Sequence, residues 1–304
     1  MSLDFDNYEL ENAIDDNLLG LVSSDLSYYQ PVNASPCTLF ETLYYGVMNF
    51  FGVKSYTPSK CPEFHQGLQR IAHLCSVDLD ELEIEAFYKT NEYSWLLDQR
   101  PAGYVIKIPK KDDQPSKVIV AYHGTMSNSF AGIIDVIDDL SILPNQNIHS
   151  GFLRAFMASA NTMQATLDSM IDQEEDTQII FTGHSLGGAL AEIAAFNYVT
   201  NNSISKINEG SHNKSGKINV ALFGCPAAFI GKKAYEYNKL LDKNTAHISV
   251  EKDPIVSLSG ILNLYQFVGG LTILNISQIA QYPHNIQTIL DAYLKSLKEN
   301  PINN

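Results

Sequence analysis

A serine between two glycines is the residue of this chain whose surroundings are best suited to chemistry. Ser185 stands in a Gly-x-Ser-x-Gly pattern between Gly183 and Gly187. The β-branched and aromatic run 179–181 before it predicts a buried strand, and the alanine-rich run 189–196 after it predicts a helix. A strand that turns at once into a helix strains the turning residue and leaves room only for glycine beside it. The pattern therefore predicts an elbow that exposes the serine hydroxyl near a helix N-terminus, and the alternative is a Gly-Ser turn without chemistry.

The base that Ser185 would need is found by elimination. A serine hydroxyl becomes a good nucleophile when a histidine takes its proton and a carboxylate fixes the tautomer of that histidine. In elbows of this kind the partners follow the serine in the order acid, then histidine. His212 lies in a polar stretch and His247 lies within a predicted strand, whereas His284 lies where a loop meets a predicted helix. His284 is the predicted base, and the alternative is a helix-capping or surface histidine.

The acid is chosen in the same way. Between Ser185 and His284 the aspartates are Asp242 and Asp253. Asp242 lies in a basic helix end, which indicates a solvated side chain. Asp253 follows a predicted strand, and the sites of parallel sheets collect at the carboxyl ends of strands. The sequence predicts a triad of Ser185, Asp253 and His284, and the alternative is that Asp253 only forms a turn with the proline after it.

Acyl transfer also needs N–H groups that stabilise an oxyanion. The backbone N–H of Leu186, directly after the serine, is the first predicted donor. The second is predicted at the corner His123-Gly124-Thr125, which is the upstream strand end that contains glycine, so Thr125 is the expected donor. The alternative is a plain turn. His184 is predicted to be a packing and hydrogen-bonding residue rather than a second base.

The predicted elements place these residues on a mostly parallel sheet. In the first hundred residues, helical spacing of apolar residues predicts helices at 8–22, 37–51, 62–75 and 79–97. Farther along, strands are predicted at 103–108, 117–122, 179–181, 218–223 and 245–250, with helices at 127–143, about 148–171, 189–196, 231–241 and about 284–297, and a polar loop at 201–217. Strands that alternate with helices indicate an α/β fold with helices on both faces. Without a Pro/Gly/Ser-rich linker, the chain is predicted to be one domain over 1–304, with a helical N-terminal region, 1–100, packed on a core at 103–295.

Composition limits the partners. The 304 residues include 20 basic and 34 acidic side chains, and the formal net charge of −14 argues against nucleic acid and against electrostatic binding to anionic membranes. Residues 261–280 have the length of a membrane span, but polar residues interrupt them and no basic cluster flanks them, which favours a core or groove-lining segment. The cysteines and histidines lack metal-ligand spacing and the glycines fit no cofactor motif, so neither a metal nor a cofactor is predicted.

The start of the chain and the four cysteines bear on its compartment. No basic segment followed by an apolar run opens the sequence, which is not typical of a signal peptide. Cys225 is predicted to be buried at a strand end, and the other three cysteines do not indicate a disulfide framework. These features favour an intracellular protein, with secretion as the alternative.

Five blocks of the sequence together resemble the class 3 lipases, the fungal-type triacylglycerol lipase family of α/β-hydrolases. They are the elbow at 182–190, the corner Tyr-His-Gly-Thr at 122–125, the His-x-Gly-Phe helix start at 148–152, the Phe-Gly-x-Pro strand end at 223–226 and the acid loop at 250–255, with His284 in the place of the family's histidine. The resemblance covers 103–295. It implies that the helix predicted at 127–143 is a lid that covers the serine in water and moves aside at a lipid surface, and the alternative is an ordinary surface helix.

The residues and the resemblance together predict a serine ester hydrolase that cleaves tri- or monoacylglycerols through an acyl-enzyme. A phospholipase A1 and a carboxylesterase of soluble esters stay open as alternatives. From another class of function, a lipase-like scaffold without catalysis stays open, as does a peptidase or thioesterase with the same elbow.

Overall fold

The structure is a computed structural model. It describes residues 15–28, 62–89, 101–112, 114–124, 144–145, 147–171, 177–207, 218–256, 265–275 and 283–299. Two predicted helices, at 37–51 and 127–143, lie outside the described residues, and so does Thr125.

A seven-stranded sheet forms the centre of the described part of the chain. In sequence order the strands of this sheet and of a small hairpin are β1 (Glu83–Tyr88), β2 (Pro101–Ile108), β3 (Ser116–Tyr122), β4 (Pro144–Asn145), β5 (Ile148–His149), β6 (Thr177–His184), β7 (Ile218–Phe223), β8 (Thr245–Val250) and β9 (Gly270–Leu274). The large sheet has the order β1-β2-β3-β6-β7-β8-β9, and β4 pairs with β5 separately. β2 is antiparallel to its neighbours β1 and β3, and every pairing in this sheet from β3 to β9 is parallel. The predicted mostly parallel sheet is confirmed.

Helices cover both faces of this sheet. They are α1 (Asp16–Leu26), α2 (Pro62–Leu74), α3 (Ser150–Met157), α4 (Ala160–Met170), α5 (Leu186–Ile207), α6 (Gly231–Leu241) and α7 (Ile286–Glu299). One apolar core joins the sheet to α3, α4, α5 and α6, and a second joins it to α1, α2 and α7.

The sequence of β3 shows why the sheet is covered twice. Val118 and Val120 belong to the first core, while Ile119 between them belongs to the second. Successive side chains of a strand point to opposite faces, so an unbroken apolar run needs an apolar layer on each side. Every residue of this strand is buried.

The structure corrects three sequence predictions. The helix predicted at 79–97 is wrong over 83–88, because Glu83, Ile84, Glu85 and Ala86 alternate polar and apolar with the period of a strand, and β1 pairs there with β2. The polar loop predicted at 201–217 is wrong for its first residues, since α5 continues to Ile207.

The single helix predicted at about 148–171 is two helices, α3 and α4. They are separated at residues 158–159. The hydroxyl of Ser159 donates to the carbonyl of Phe156, and such side-chain bonds compete with the backbone bonds of a helix.

Part of the segment predicted to line a core or groove forms the edge of the sheet. Residues 270–274 of that segment are β9, which pairs in parallel with β8. None of the helices in the described ranges combines the length and the apolar character needed to span a membrane.

Candidate active site

Ser185 lies at an abrupt turn between the strand β6 and the helix α5. The strand ends at His184 and the helix begins at Leu186, so Ser185 alone makes the turn. Its φ angle is +56°, a left-handed conformation that strains any residue with a side chain. The N–H of Ser185 donates to the carbonyl of Phe223 at 3.0 Å, which ties the turn to the end of β7.

Two glycines allow the strand and the helix to approach this closely. A Cβ atom on Gly183 would lie 2.3 Å from the carbonyl carbon and oxygen of Gly187. A Cβ atom on Gly187 would lie 2.4 Å from the carbonyl oxygen of Tyr122, at the end of β3. These distances are far inside van der Waals contact, so the Gly-x-Ser-x-Gly pattern is required by the packing of three backbone segments.

The structure brings Ser185, His284 and Asp253 into one chain of hydrogen bonds. The Nε2 atom of His284 lies 2.9 Å from the Oγ atom of Ser185. On the other side of the ring, Nδ1 lies 2.9 Å from Oδ1 and 3.1 Å from Oδ2 of Asp253. Asp253 follows β8 and His284 precedes α7, so segments far apart in sequence meet beside the elbow. All three residues are buried.

The carboxylate of Asp253 is fixed by further donors. The N–H of Ile255 donates to Oδ1 at 2.9 Å, and the hydroxyl of Ser249 donates to Oδ2 at 3.1 Å. An ionised carboxylate only accepts hydrogen bonds, so Nδ1 of His284 carries a proton when it faces this group. Nε2 is then unprotonated and can accept the proton of the Ser185 hydroxyl.

Two other histidines lie near the hydrogen-bonded residues Ser185, His284 and Asp253. His184 packs against His284, with ring centroids 4.7 Å apart, and the hydroxyl of Tyr28 lies 2.7 Å from its Nδ1 atom. Burial lowers the pKa of His184 well below its ordinary value. His247 lies within β8, as predicted, and its Nε2 atom contacts the Sγ atom of Cys225 at 3.3 Å. Burial lowers the pKa of His247 to about 4, so both rings are neutral at neutral pH.

One of the two predicted oxyanion donors lies in the described part of the chain. Leu186 is the first residue of α5, and the N–H groups of a first turn have no partner within their own helix. Thr125 lies outside the described residues, but the other two residues of that corner, His123 and Gly124, are described. The contact between Gly187 and Tyr122 places the end of β3 directly beside the elbow.

Sequence reasoning missed three residues that hold the site together, namely Tyr28, Ser249 and Ile255. Ser249 and Ile255 lie within four residues of Asp253, so a scan of its neighbours for hydrogen-bond donors could have found them. Tyr28 lies 156 positions before His184, and no local pattern marks it.

Comparison with known proteins gives a family match. A family model described as Lipase (class 3) matches residues 117–263. The matched range begins in β3 and includes Ser185 and Asp253. It ends before His284 and does not include α1.

Solved lipase structures share the fold. Two structures of the Lip2 lipase from Yarrowia lipolytica, one of them nonglycosylated, are each 20% identical to this chain, with a TM-score of 0.50. They cover 90% and 86% of this chain, over 80% and 78% of their own chains. A triacylglyceride lipase from Rhizomucor miehei is 19% identical, with a TM-score of 0.46, and covers 64% of this chain and 67% of its own. At 20% identity the likeness to Lip2 establishes the fold, and the predicted α/β-hydrolase class is confirmed.

Proposed function

We propose that the chain is a lipase-type carboxylic ester hydrolase and that Ser185, His284 and Asp253 are its catalytic triad, since the Lipase (class 3) family model matches residues 117–263. The observation that carries this proposal is the chain of hydrogen bonds from Asp253 through His284 to Ser185. It joins an acceptor, a base and a hydroxyl in the order that acyl transfer requires.

In the first half of the proposed reaction, Oγ of Ser185 attacks the ester carbonyl carbon while its proton passes to Nε2 of His284. The carbonyl oxygen becomes an oxyanion, and the N–H groups of Leu186 and Thr125 are the proposed donors to it. The ester C–O bond then breaks, His284 returns the proton to the leaving alcohol, and the acyl group stays on Ser185.

In the second half, water attacks the acyl-enzyme. His284 takes one proton of the water, the bond between the acyl carbon and Oγ breaks, and the proton returns to Ser185. The carboxylic acid leaves and the enzyme is restored. Throughout, Asp253 stabilises the imidazolium form of His284 and keeps the ring in orientation, while the donors Ser249 and Ile255 hold the carboxylate in place.

The substrate proposed from the family is a lipid ester of the tri- or monoacylglycerol type. We also propose that the chain is one domain, since α1 packs on the same sheet as the elbow. The lid expected at 127–143 lies outside the described residues and stays a prediction.

A substrate series tests this proposal. We expect the protein to hydrolyse dispersed triacylglycerols across a series of increasing acyl length. For each substrate, the rate should rise once the substrate concentration exceeds the solubility limit. The Ser185→Ala variant should lose at least a thousandfold in kcat, because the residual groups retain only binding and oxyanion contacts. A wild-type protein that hydrolyses no ester would contradict the proposal and favour the scaffold alternative.

Two controls separate the neighbouring activities. A carboxylesterase would reach its maximal rate on short-chain esters below their solubility limit and gain nothing from micelles. A phospholipase A1 would release the sn-1 acyl chain from phosphatidylcholine faster than any acylglycerol. Either result would retain the proposed triad and replace the proposed substrate.

A further inference from the structure

The N-terminal helix α1 lies directly on the central sheet. Every residue from 18 to 26 is buried. A Cβ atom on Gly20 would lie 2.8 Å from the Cβ atom of Ala221 and 3.1 Å from Oγ1 of Thr182. Gly20 therefore allows the helix backbone to touch β6 and β7. Although it lies outside the range that the family model matches, α1 contributes five buried apolar residues to the second core.

One end of α1 is fixed to the starts of three strands. The carboxylate of Asp16 accepts hydrogen bonds from Gln178 at 2.6 Å and from Asn219 at 2.7 Å, and it pairs with Lys117. These partners are the second residues of β6, β7 and β3. The tyrosine Tyr293 of α7 adds a hydroxyl that donates to Asp15 at 2.8 Å.

The other end of α1 lies near the carboxyl ends of the parallel strands, where Ser185 lies. Parallel strands all begin on one side of the sheet and end on the opposite side, so a helix anchored where the strands begin can end beside the elbow. Along the way, Ser24 is hydrogen-bonded to Thr182 at 2.8 Å. Two residues after the helix, Tyr28 lies against the residues that flank the site.

Tyr28 contacts both the elbow and the oxyanion corner. Its hydroxyl lies 2.7 Å from Nδ1 of His184, the residue before the serine. Its ring packs against the ring of His123, with centroids 5.1 Å apart. A Cβ atom on Gly124 would lie 2.0 Å from the hydroxyl oxygen of Tyr28, so Tyr28 is pressed against the residue before Thr125.

We propose that Tyr28 is a positioning residue, which holds residues 123 and 124 of the oxyanion corner at a fixed separation from the elbow at 184–186. This inference rests on the proposed function. A serine hydrolase needs its oxyanion donors placed to within a fraction of an ångström of the reacting carbonyl, and the two donors proposed here come from separate strand ends. Tyr28 contacts His184, which precedes the nucleophile Ser185, and Gly124, which precedes the proposed donor Thr125.

The protonation of the two groups supports this role. Burial, followed by the nearby charge of Asp25, raises the pKa of Tyr28 above its ordinary value, so the phenol stays protonated and can donate a hydrogen bond. Burial lowers the pKa of His184, so its ring is neutral, and Nδ1 accepts from the phenol in the tautomer that carries its proton on Nε2. A neutral His184 also avoids charge repulsion when the neighbouring His284 becomes an imidazolium.

The Tyr28→Phe variant tests the proposal, because it removes the hydroxyl and keeps the ring. On a soluble short-chain ester we expect kcat to fall at least tenfold while KM changes less than twofold. The rate at which a fluorophosphonate modifies Ser185 should fall by a similar factor, since that reaction places a negative oxygen at the same donors. Both readouts report the geometry of the transition state, which a loss of stability alone would leave unchanged.

Tyr293→Phe is the matched control. It makes the same chemical change at the opposite end of α1, where the hydroxyl of Tyr293 contacts Asp15 and not the site. We expect a similar loss of thermal stability with kcat within twofold of the wild type. Equal losses of kcat in both variants would overturn the proposal and assign Tyr28 to helix anchoring.

The remaining outcomes are distinct from a failure of the proposed function. A Tyr28→Phe variant with wild-type kcat and labelling rate would overturn the positioning role while the wild-type enzyme still hydrolyses esters. A wild-type protein that neither hydrolyses esters nor reacts with the phosphonate would overturn both proposals at once.

Discussion

Asp253→Asn is the substitution whose effect can be worked out most fully from the structure. The amide keeps the size of the carboxylate but removes its charge. The N–H of Ile255 donates to Oδ1, so the amide oxygen stays at that position and the NH2 group takes the place of Oδ2. There it faces the hydroxyl of Ser249, which can turn to accept, and Nδ1 of His284, which cannot accept while it carries a proton.

The magnitude follows from the lost charge. When His284 takes the proton of Ser185, its positive charge is stabilised by a carboxylate 2.9 Å away. At an effective dielectric constant of about 20, two unit charges at about 4 Å attract by roughly 4 kcal/mol, and this pair is closer. A barrier raised by about 4 to 5 kcal/mol lowers kcat by roughly three to four powers of ten. The same Asp-to-Asn change in the triad of a serine protease lowers kcat by about four powers of ten.

The assay is the initial rate on a soluble short-chain ester at pH 8, with kcat calculated from the concentration of active sites. Thermal unfolding of the same preparations shows whether the variant is folded. Ser249→Ala is the matched control, since it removes one donor to Asp253 and leaves the charge in place. We expect that control to lose less than tenfold in kcat. A folded Asp253→Asn variant that keeps more than a tenth of the wild-type kcat would refute the electrostatic argument.

Two further predictions concern stability. In Gly183→Ala the added methyl would lie 2.3 Å from backbone atoms of Gly187, so we expect a loss of about 3 kcal/mol in the free energy of unfolding. The control Gly270→Ala, whose added methyl would have no atom within 4 Å, should change that free energy by less than about 0.5 kcal/mol. Equal denaturation midpoints for the two variants would show that the elbow is not closely packed. Burial raises the pKa of Glu192 well above its ordinary value, so the unfolded chain releases this proton at a lower pH than the folded protein, and the contribution to stability falls as pH rises above about 4.5. In urea titrations at a series of pH values above about 4.5, the free energy of unfolding of the wild type should fall relative to that of Glu192→Gln by at most about 1.4 kcal/mol per pH unit, and parallel curves for wild type and variant would contradict this.

The elbow and its partners could be predicted because their constraints are local. The strand, the glycines and the helix around Ser185 are contiguous, and their steric requirement can be read from residue type alone. Asp253 and His284 were then fixed by order along the chain and by position after a strand and before a helix. The structure places both beside Ser185 at hydrogen-bonding distances.

The rest could not be predicted because it depends on contacts between distant segments. The helical spacing of apolar residues at 79–97 predicts a helix, but residues 83–88 form β1, which pairs with β2. Pairing between strands is a tertiary effect that the spacing within a single segment does not show. The residues next to Tyr28 in sequence do not mark it as part of the site. Its contact with His184 arises because α1, which it follows, lies across the sheet. The burial of Glu192 within α5 is likewise set by the packing of that helix in one core with the sheet and neighbouring helices.

The measurement that tests the central claim most directly is the mass of the protein after reaction with a fluorophosphonate, followed by peptide mapping. The proposed mechanism predicts one phosphonyl group per chain, on the peptide that contains Ser185, and no modification of the Ser185→Ala variant. An ester-hydrolysing wild type that gains no mass, or a Ser185→Ala variant that is still modified, would contradict the assignment of Ser185 as the nucleophile.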